Sequence, residues 1–133
     1  MRTSDCFALE GIDISGYSPP PDHSSVRSAA MGTQDWLPVT RWKSALEAIE
    51  HYRNQDYSIV ALETSEQATP IEEFHFSPRG IFLLGNEELG LSEELLSHAH
   101  YQISIPMFGR KASLNVANCF AIATFQLRQF LKR

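Results

Sequence analysis

Ile105-Pro106-Met107-Phe108-Gly109-Arg110-Lys111-Ala112-Ser113-Leu114-Asn115-Val116-Ala117 decides the fold, read together with Leu84-Gly85-Asn86-Glu87 upstream. An apolar run from Tyr101 to Ile105 meets Pro106, where a β-ladder must stop because proline has no N–H to donate. A Gly-containing loop follows. Ser113 then offers an N-cap, opening a long helix to about Lys132. Asn115, in the first turn of that helix, either bonds a ligand hydroxyl or faces water. The upstream stretch is built alike. The apolar run Gly80-Ile81-Phe82-Leu83-Leu84 ends at Gly85, and a loop with a second glycine leads to a short helix capped by Ser92. In open α/β sheets, ligands bind beyond the carboxyl ends of strands, and glycine there lets a ligand approach the backbone. Glu87 and Glu88 would repel a phosphate and suit a cationic or hydroxyl-rich ligand. By spacing alone, an ordinary βα turn explains these residues equally well.

Outward from this pair, short apolar runs alternate with helical patterns. Ser58-Ile59-Val60-Ala61-Leu62 is continuously apolar, as in a strand buried on both faces. Gly11-Ile12-Asp13-Ile14 and Trp36 to Val39 predict two further strands, separated by the proline-rich loop Ser18-Pro19-Pro20-Pro21-Asp22 and a short helix from His23 to Met31. Ser44-Ala45-Leu46-Glu47 has the form of a capping box, with Leu46, Ile49 and Tyr52 as the apolar stripe behind it. Alternation of this kind predicts an α/β fold, a parallel sheet flanked by helices. The C-terminal helix carries one apolar stripe at Val116, Phe120, Ala123 and Leu127 and a second at Cys119, Ile122 and Phe125. A helix apolar on two sides is packed on two sides. The second partner is either another subunit or another part of the same domain.

The 133 residues suit one domain, and 43% hydrophobic content supplies a core. Apolar runs all fall short of the ~20 residues of a membrane helix, and the opening residues lack the apolar stretch of a signal peptide. A cytoplasmic location and no membrane partner are therefore expected. Cys6 and Cys119 are too few for a disulfide framework and are expected to be buried free thiols. His98 and His100 are expected at the surface. No His/Cys cluster has metal spacing, so no metal is expected. Net charge is −5, but unevenly placed: residues 101–133 hold Arg110, Lys111, Arg128, Lys132 and Arg133 and no acid. These cations either face phosphate or complement the end of the last helix. Trp36 and Trp42 are expected to pack rather than to stack on bases.

GNE-x-x-GLS at 85–92 followed by IPM-x-G-x-x-x-SLNVA at 105–117 resembles the second and third motifs of the SpoU/TrmH branch of the SPOUT methyltransferases. With the segment between them, the motifs span about residues 80–124. The resemblance implies an α/β fold with a C-terminal trefoil knot, a rare exception to the rule against threaded chains. It implies one SpoU/TrmH-type domain over 1–133, working as a homodimer through the C-terminal helix. It also implies S-adenosylmethionine held by Leu62, Glu63, Thr64, Gly85, Asn86, Ile105, Met107 and Leu114, and methyl transfer to a ribose 2′-hydroxyl of tRNA or rRNA.

That hydroxyl is a poor nucleophile and needs help losing its proton. Met1 to Phe7 resembles the end of the family's first motif, with Arg2 at the arginine that assists near an RNA phosphate. Positioning and charge stabilisation suit Arg2 better than a base role, since free arginine stays protonated. Glu87, Ser113 and Asn115 match the other polar catalytic positions, and Arg110 and Lys111 are the cations expected on phosphate. The family places a strand and an asparagine before its arginine, and here the sequence opens one residue before Arg2. The expectation is an N-terminally short chain: a fragment, a late start, or a degenerate member. The competing expectation for function is a catalytically impaired cofactor- or RNA-binding module of the same fold.

Overall fold

The structure, a computed structural model, describes residues 1–132, so Arg133 of the basic tail lies outside the described residues. The chain divides into two compact units, Met1–Ala48 and the remainder from Ile49.

The first unit contains α1 (Arg2–Cys6), β1 (Ile12–Ile14), α2 (Ser24–Ala30), a 3-10 turn at Thr33–Asp35 and β2 (Val39–Arg41). β1 and β2 pair in parallel, Ile12 opposite Val39 and Ile14 opposite Arg41. The strand expected at Trp36 starts later. Trp36 closes the 3-10 turn, and Pro38 cannot donate to a ladder; its carbonyl instead accepts the Ile12 N–H at 2.9 Å. Both indole N–H groups are engaged by acids, Trp36 Nε1 donating to Asp5 at 2.7 Å and Trp42 Nε1 to Asp13 at 2.5 Å. Cys6 is exposed, not buried: α1 is five residues long and ends on it.

α3 (Ala45–Arg53) begins in the first unit and continues into the second. The Glu47 N–H donates to Ser44 Oγ at 3.2 Å. The Glu47 carboxylate reaches back to the Lys43 N–H, also at 3.2 Å, one residue further than the reciprocal box predicts.

The second unit is a four-stranded sheet with β3 (Ser58–Leu62), β4 (Thr69–Pro70), β5 (Gly80–Leu84) and β6 (Tyr101–Ser104), in the order β4-β6-β3-β5, every pairing parallel. α4 (Glu93–His98) lies between β5 and β6 in sequence, and α5 (Val116–Leu131) closes the chain. β3 is hydrogen-bonded on both edges, and Ile59, Val60 and Ala61 are all buried. That is why its sequence is continuously apolar rather than alternating. Ile103 of β6 is 0% exposed and sits with Val60, Ile71, Phe74, Phe76 and Ala123 in one core cluster.

α5 packs on that cluster through Phe120, Ala123, Leu127 and Phe130. Thr124 is fully buried, and its hydroxyl donates to the Phe120 carbonyl at 2.8 Å. A helix can bury threonine in this way without an orphaned hydroxyl. The second stripe has a different fate: Cys119 is half-buried, while Ile122 is 41% and Phe125 52% exposed. At the opposite ends of the strands, the exposed residue His100 has a structural task. Its Nδ1 accepts the Ile59 N–H at 2.9 Å, and Arg53 donates to the His98 carbonyl.

Candidate functional site

Three parallel strands, β3, β5 and β6, end at Leu62, Leu84 and Ser104, and a cavity of about 440 Å³ opens beyond them. Its walls are the three loops that follow those strands and the first turn of α5. The eight residues expected around the cofactor, from Leu62, Glu63 and Thr64 through Gly85 and Asn86 to Ile105, Met107 and Leu114, all line it. So do Glu87, Ser113 and Asn115. Arg110 and Lys111 are exposed on the loop before Ser113 and are not in the wall. Arg2 is exposed on α1 of the first unit. Glu88 and Gly90, read in the sequence as part of a ligand-facing loop, also line it, whereas Leu89, Ser104, Val116 and Cys119 line it without having been assigned to the site from the sequence.

The loop after β5 is folded tightly on itself. Asn86 Oδ1 accepts the N–H groups of Glu88 at 3.0 Å and Leu89 at 2.6 Å, and the Gly90 N–H donates to the Asn86 carbonyl at 3.0 Å. Glu63 braces the loop from the neighbouring strand: its carboxylate accepts from Leu91 N–H at 3.0 Å and from Thr64 N–H at 3.1 Å. Two glycines make this geometry possible. Gly90 has φ +66°, and a Cβ there would lie 2.7 Å from the Glu63 carboxylate. A Cβ on Gly85 would lie 2.2 Å from the Gly90 carbonyl carbon. The carboxylate of Glu63 and the amide oxygen of Asn86 therefore hold the wall itself in shape.

The N-cap of α5 is Asn115, not Ser113. Residue 115 still has extended geometry, φ −52° and ψ 135°, and its Oδ1 accepts from Ala117 N–H at 2.9 Å and Asn118 N–H at 3.3 Å. Those bonds satisfy donors a helix start leaves orphaned. The other end of the same amide donates from Nδ2 to Glu87 Oε1 at 3.3 Å. Asn115 thus ties the start of α5 to the loop after β5. Replacing Asn115 by Asp should keep the cap, because the oxygen remains, and lose the bond to Glu87. Asn115→Ala should lose both, and its melting point should fall by a few degrees, as expected for ~1 kcal/mol of cap energy. If Asn115→Asp melts as low as Asn115→Ala, the cap assignment is wrong.

The cavity's charges are all of one sign. Glu63, Glu87 and Glu88 line it, and no Lys, Arg or His among the described residues does. Burial, and the nearby Glu63 carboxylate, push the Cys119 thiol up from its ordinary range, against the opposing pull of a backbone hydrogen bond. Its Sγ donates to the Leu114 carbonyl at 3.6 Å. A raised thiol holds less thiolate at a given pH, and the thiolate is the nucleophile. Iodoacetamide at pH 8 should therefore label exposed Cys6 well before Cys119, and a ligand filling the cavity should slow Cys119 further. Equal labelling of both, read by peptide mass mapping, would contradict this placement.

The sequence profile of the SpoU rRNA Methylase family matches residues 1–125. The chain belongs to that family. It is 27% identical over 129 residues to the tRNA (guanosine(18)-2′-O)-methyltransferase of Escherichia coli K12, an alignment covering 97% of this chain and 56% of the relative. It is 32% identical over 123 residues to the 23S rRNA (uridine(2479)-2′-O)-methyltransferase of Streptomyces viridochromogenes, covering 89% of this chain and 42% of that one. The AdoMet-bound rRNA methyltransferase structure from Sinorhizobium meliloti superposes with a TM-score of 0.89 at 29% identity, covering 98% of this chain and 49% of the other. The chain thus spans about half the length of these SpoU-family relatives. The parallel strands and flanking helices are the architecture of the family.

Proposed function

We propose that this chain is one SpoU-type domain that transfers a methyl group from S-adenosylmethionine to a ribose 2′-hydroxyl of tRNA or rRNA. The observation that carries the reading is the cavity beyond β3, β5 and β6, where all eight expected cofactor positions converge with Glu87, Ser113 and Asn115. Its chemistry suits the cofactor. The volume is in the range of small-molecule sites, and a wall charged only by carboxylates favours a ligand carrying positive charge. The relatives named for 2′-O-methylation and the AdoMet-bound neighbour support the same reading. Support for a single domain comes from the family profile, which spans both compact units.

Leu62, Gly85, Ile105 and Leu114 would hold the cofactor through backbone groups. When bound, S-adenosylmethionine supplies an electrophilic methyl on a positively charged sulfur. Glu87 has one carboxylate oxygen taken by Asn115. The other would accept the hydrogen bond of the ribose 2′-hydroxyl and take up its proton as that oxygen gains the methyl group and the methyl–sulfur bond breaks, the sulfonium leaving as a neutral thioether. Ser113 adds a hydroxyl that orients the ribose. Arg2, Arg110 and Lys111 take RNA phosphates, positioning and stabilising charge.

The partner surface we assign is the second stripe of α5, with Ile122 and Phe125 exposed, where a second copy of the chain docks to form a homodimer. The knot of the family is supported by β6, which enters the sheet between the earlier strands β4 and β3. No described helix is long and apolar enough to cross a membrane, in keeping with RNA modification in the cytoplasm.

The test is transfer of labelled methyl from S-adenosylmethionine into bulk tRNA and rRNA. Label should enter RNA with the unaltered chain, and Asn115→Asp should lower the rate on the order of tenfold or more, since a hydrogen bond to a charged group contributes about 1.5–3 kcal/mol. Calorimetric binding of S-adenosylmethionine with no label in either RNA would instead describe a cofactor-binding module without catalysis. No binding at all would sink the proposal.

A further inference from the structure

Phe108 is 97% exposed. Its ring has no aromatic or hydrogen-bonding contact among the described residues, whereas Phe74, Phe76, Phe82, Phe120 and Phe130 all meet other rings in the second unit. Exposing a whole phenylalanine side chain forgoes about 1.5–3 kcal/mol of burial. Its neighbours are equally telling. Met107, one residue before, lines the cavity, while Arg110 and Lys111, just after, are exposed. The loop after β5, which also lines the cavity, presents exposed Glu87 and Glu88 and the 84% exposed Leu89. The rim is electrically two-sided, cationic on the loop after β6 and anionic on the loop after β5.

An aromatic ring in the open beside two cations is the arrangement that binds single-stranded nucleic acid. The base stacks on the ring, and the cations take the backbone phosphates. The carboxylates of the loop after β5 repel phosphate and so orient the strand. A second copy of the chain would have to desolvate Arg110 and Lys111, and no acid occurs from residue 101 onward in the sequence to offer them a partner from the same stretch.

We infer that Phe108 is a base-stacking platform for an unpaired nucleotide of the RNA substrate, with Arg110 and Lys111 on its flanking phosphates. The inference rests on the RNA-methylating reading above and adds the nucleotide contact. Because Met107 and Phe108 are consecutive, the loop carries the cofactor wall on one residue and the base platform on the next. The substrate class is then a base in a loop or single strand rather than one in a continuous helix.

The test titrates the full chain into a single-stranded oligoribonucleotide carrying 2-aminopurine, whose fluorescence is quenched on stacking. Phe108→Ala should weaken binding by on the order of tenfold to a hundredfold and abolish the quench, and Phe108→Trp should preserve both. Neither variant should alter the steepness of the salt dependence. Arg110→Ala with Lys111→Ala should instead flatten that slope by about 1.4, from two single-strand phosphate contacts, while leaving the quench at saturation.

Unchanged affinity and quench in Phe108→Ala would overturn the inference, as would an unaltered chain that binds no oligonucleotide. Loss of self-association in Phe108→Ala, seen by sedimentation with RNA affinity intact, would overturn it in favour of a contact between copies. Calorimetry of S-adenosylmethionine on the unaltered chain separates the two layers. Failure there removes the methyltransferase reading, whatever the oligonucleotide result.

Discussion

Gly85→Val is expected to abolish binding of S-adenosylmethionine while leaving a folded protein. The Cβ alone would sit 2.2 Å from the Gly90 carbonyl carbon and 2.5 Å from the Leu91 nitrogen. Both atoms are backbone, so no side chain can swing aside. The loop after β5 must move, and with it the bonds from Leu91 to Glu63 and from Gly90 to Asn86. Overpacking of this kind costs about 1–3 kcal/mol of stability. The effect on the site is larger, since Gly85 and the loop that must move with it, Asn86 to Gly90, form one wall of the cavity. Calorimetry should show no heat at cofactor concentrations that saturate the unaltered chain. Near-native affinity would mean that the loop after β5 is not part of the cofactor site.

The largest loss of stability is expected from Ile103→Ala. Ile103 is 0% exposed and lies in the cluster where β6, β3 and α5 meet. Emptying such a site costs about 2–5 kcal/mol, through lost transfer energy and the cavity left behind. The melting point should fall by about 10 °C or more. The Ile103 carbonyl also accepts the Glu63 N–H at 3.1 Å, so the residue joins the core to the first cavity loop. A change under about 1 kcal/mol, measured by denaturant titration, would mean the core is centred elsewhere.

Legibility in the sequence followed the strength of the local signal. β3 and β5 were readable to the residue: β3, buried at Ile59, Val60 and Ala61, has no polar face to interrupt its apolar run, whereas β5, an edge strand with no buried residue, was marked by the glycines Gly80 and Gly85 that bound it. The short helix Glu93–His98 was readable from Ser92, whose Oγ accepts the Leu95 N–H at 3.2 Å. The start of α5 was placed two residues early. Ser113 and Asn115 are both good caps, and the choice falls to Asn115, whose amide satisfies two helix donors and Glu87 at once.

β4 left no trace, being two residues long and containing Pro70. Phe74 and Phe76 did carry a signal, the alternation Phe74-His75-Phe76, and both are buried.

Most of the site's residue list was legible because the two motifs state it; Leu62, Glu63 and Thr64 came from the family resemblance, outside both motifs. What each residue does was not. Glu63 reads as a ligand contact from its place after β3, and only the fold brings the Leu91 N–H onto its carboxylate, 28 residues away in sequence. The exposure of Cys6 and of Phe108 likewise depends on what the fold leaves uncovered.

The most direct measurement is nucleoside mass spectrometry of bulk tRNA and rRNA after incubation with the unaltered chain and isotopically labelled S-adenosylmethionine. The prediction is label in 2′-O-methylated nucleosides, at a position resistant to alkaline cleavage. Label on a base, or labelled cofactor bound with no methylated ribose formed, would contradict it.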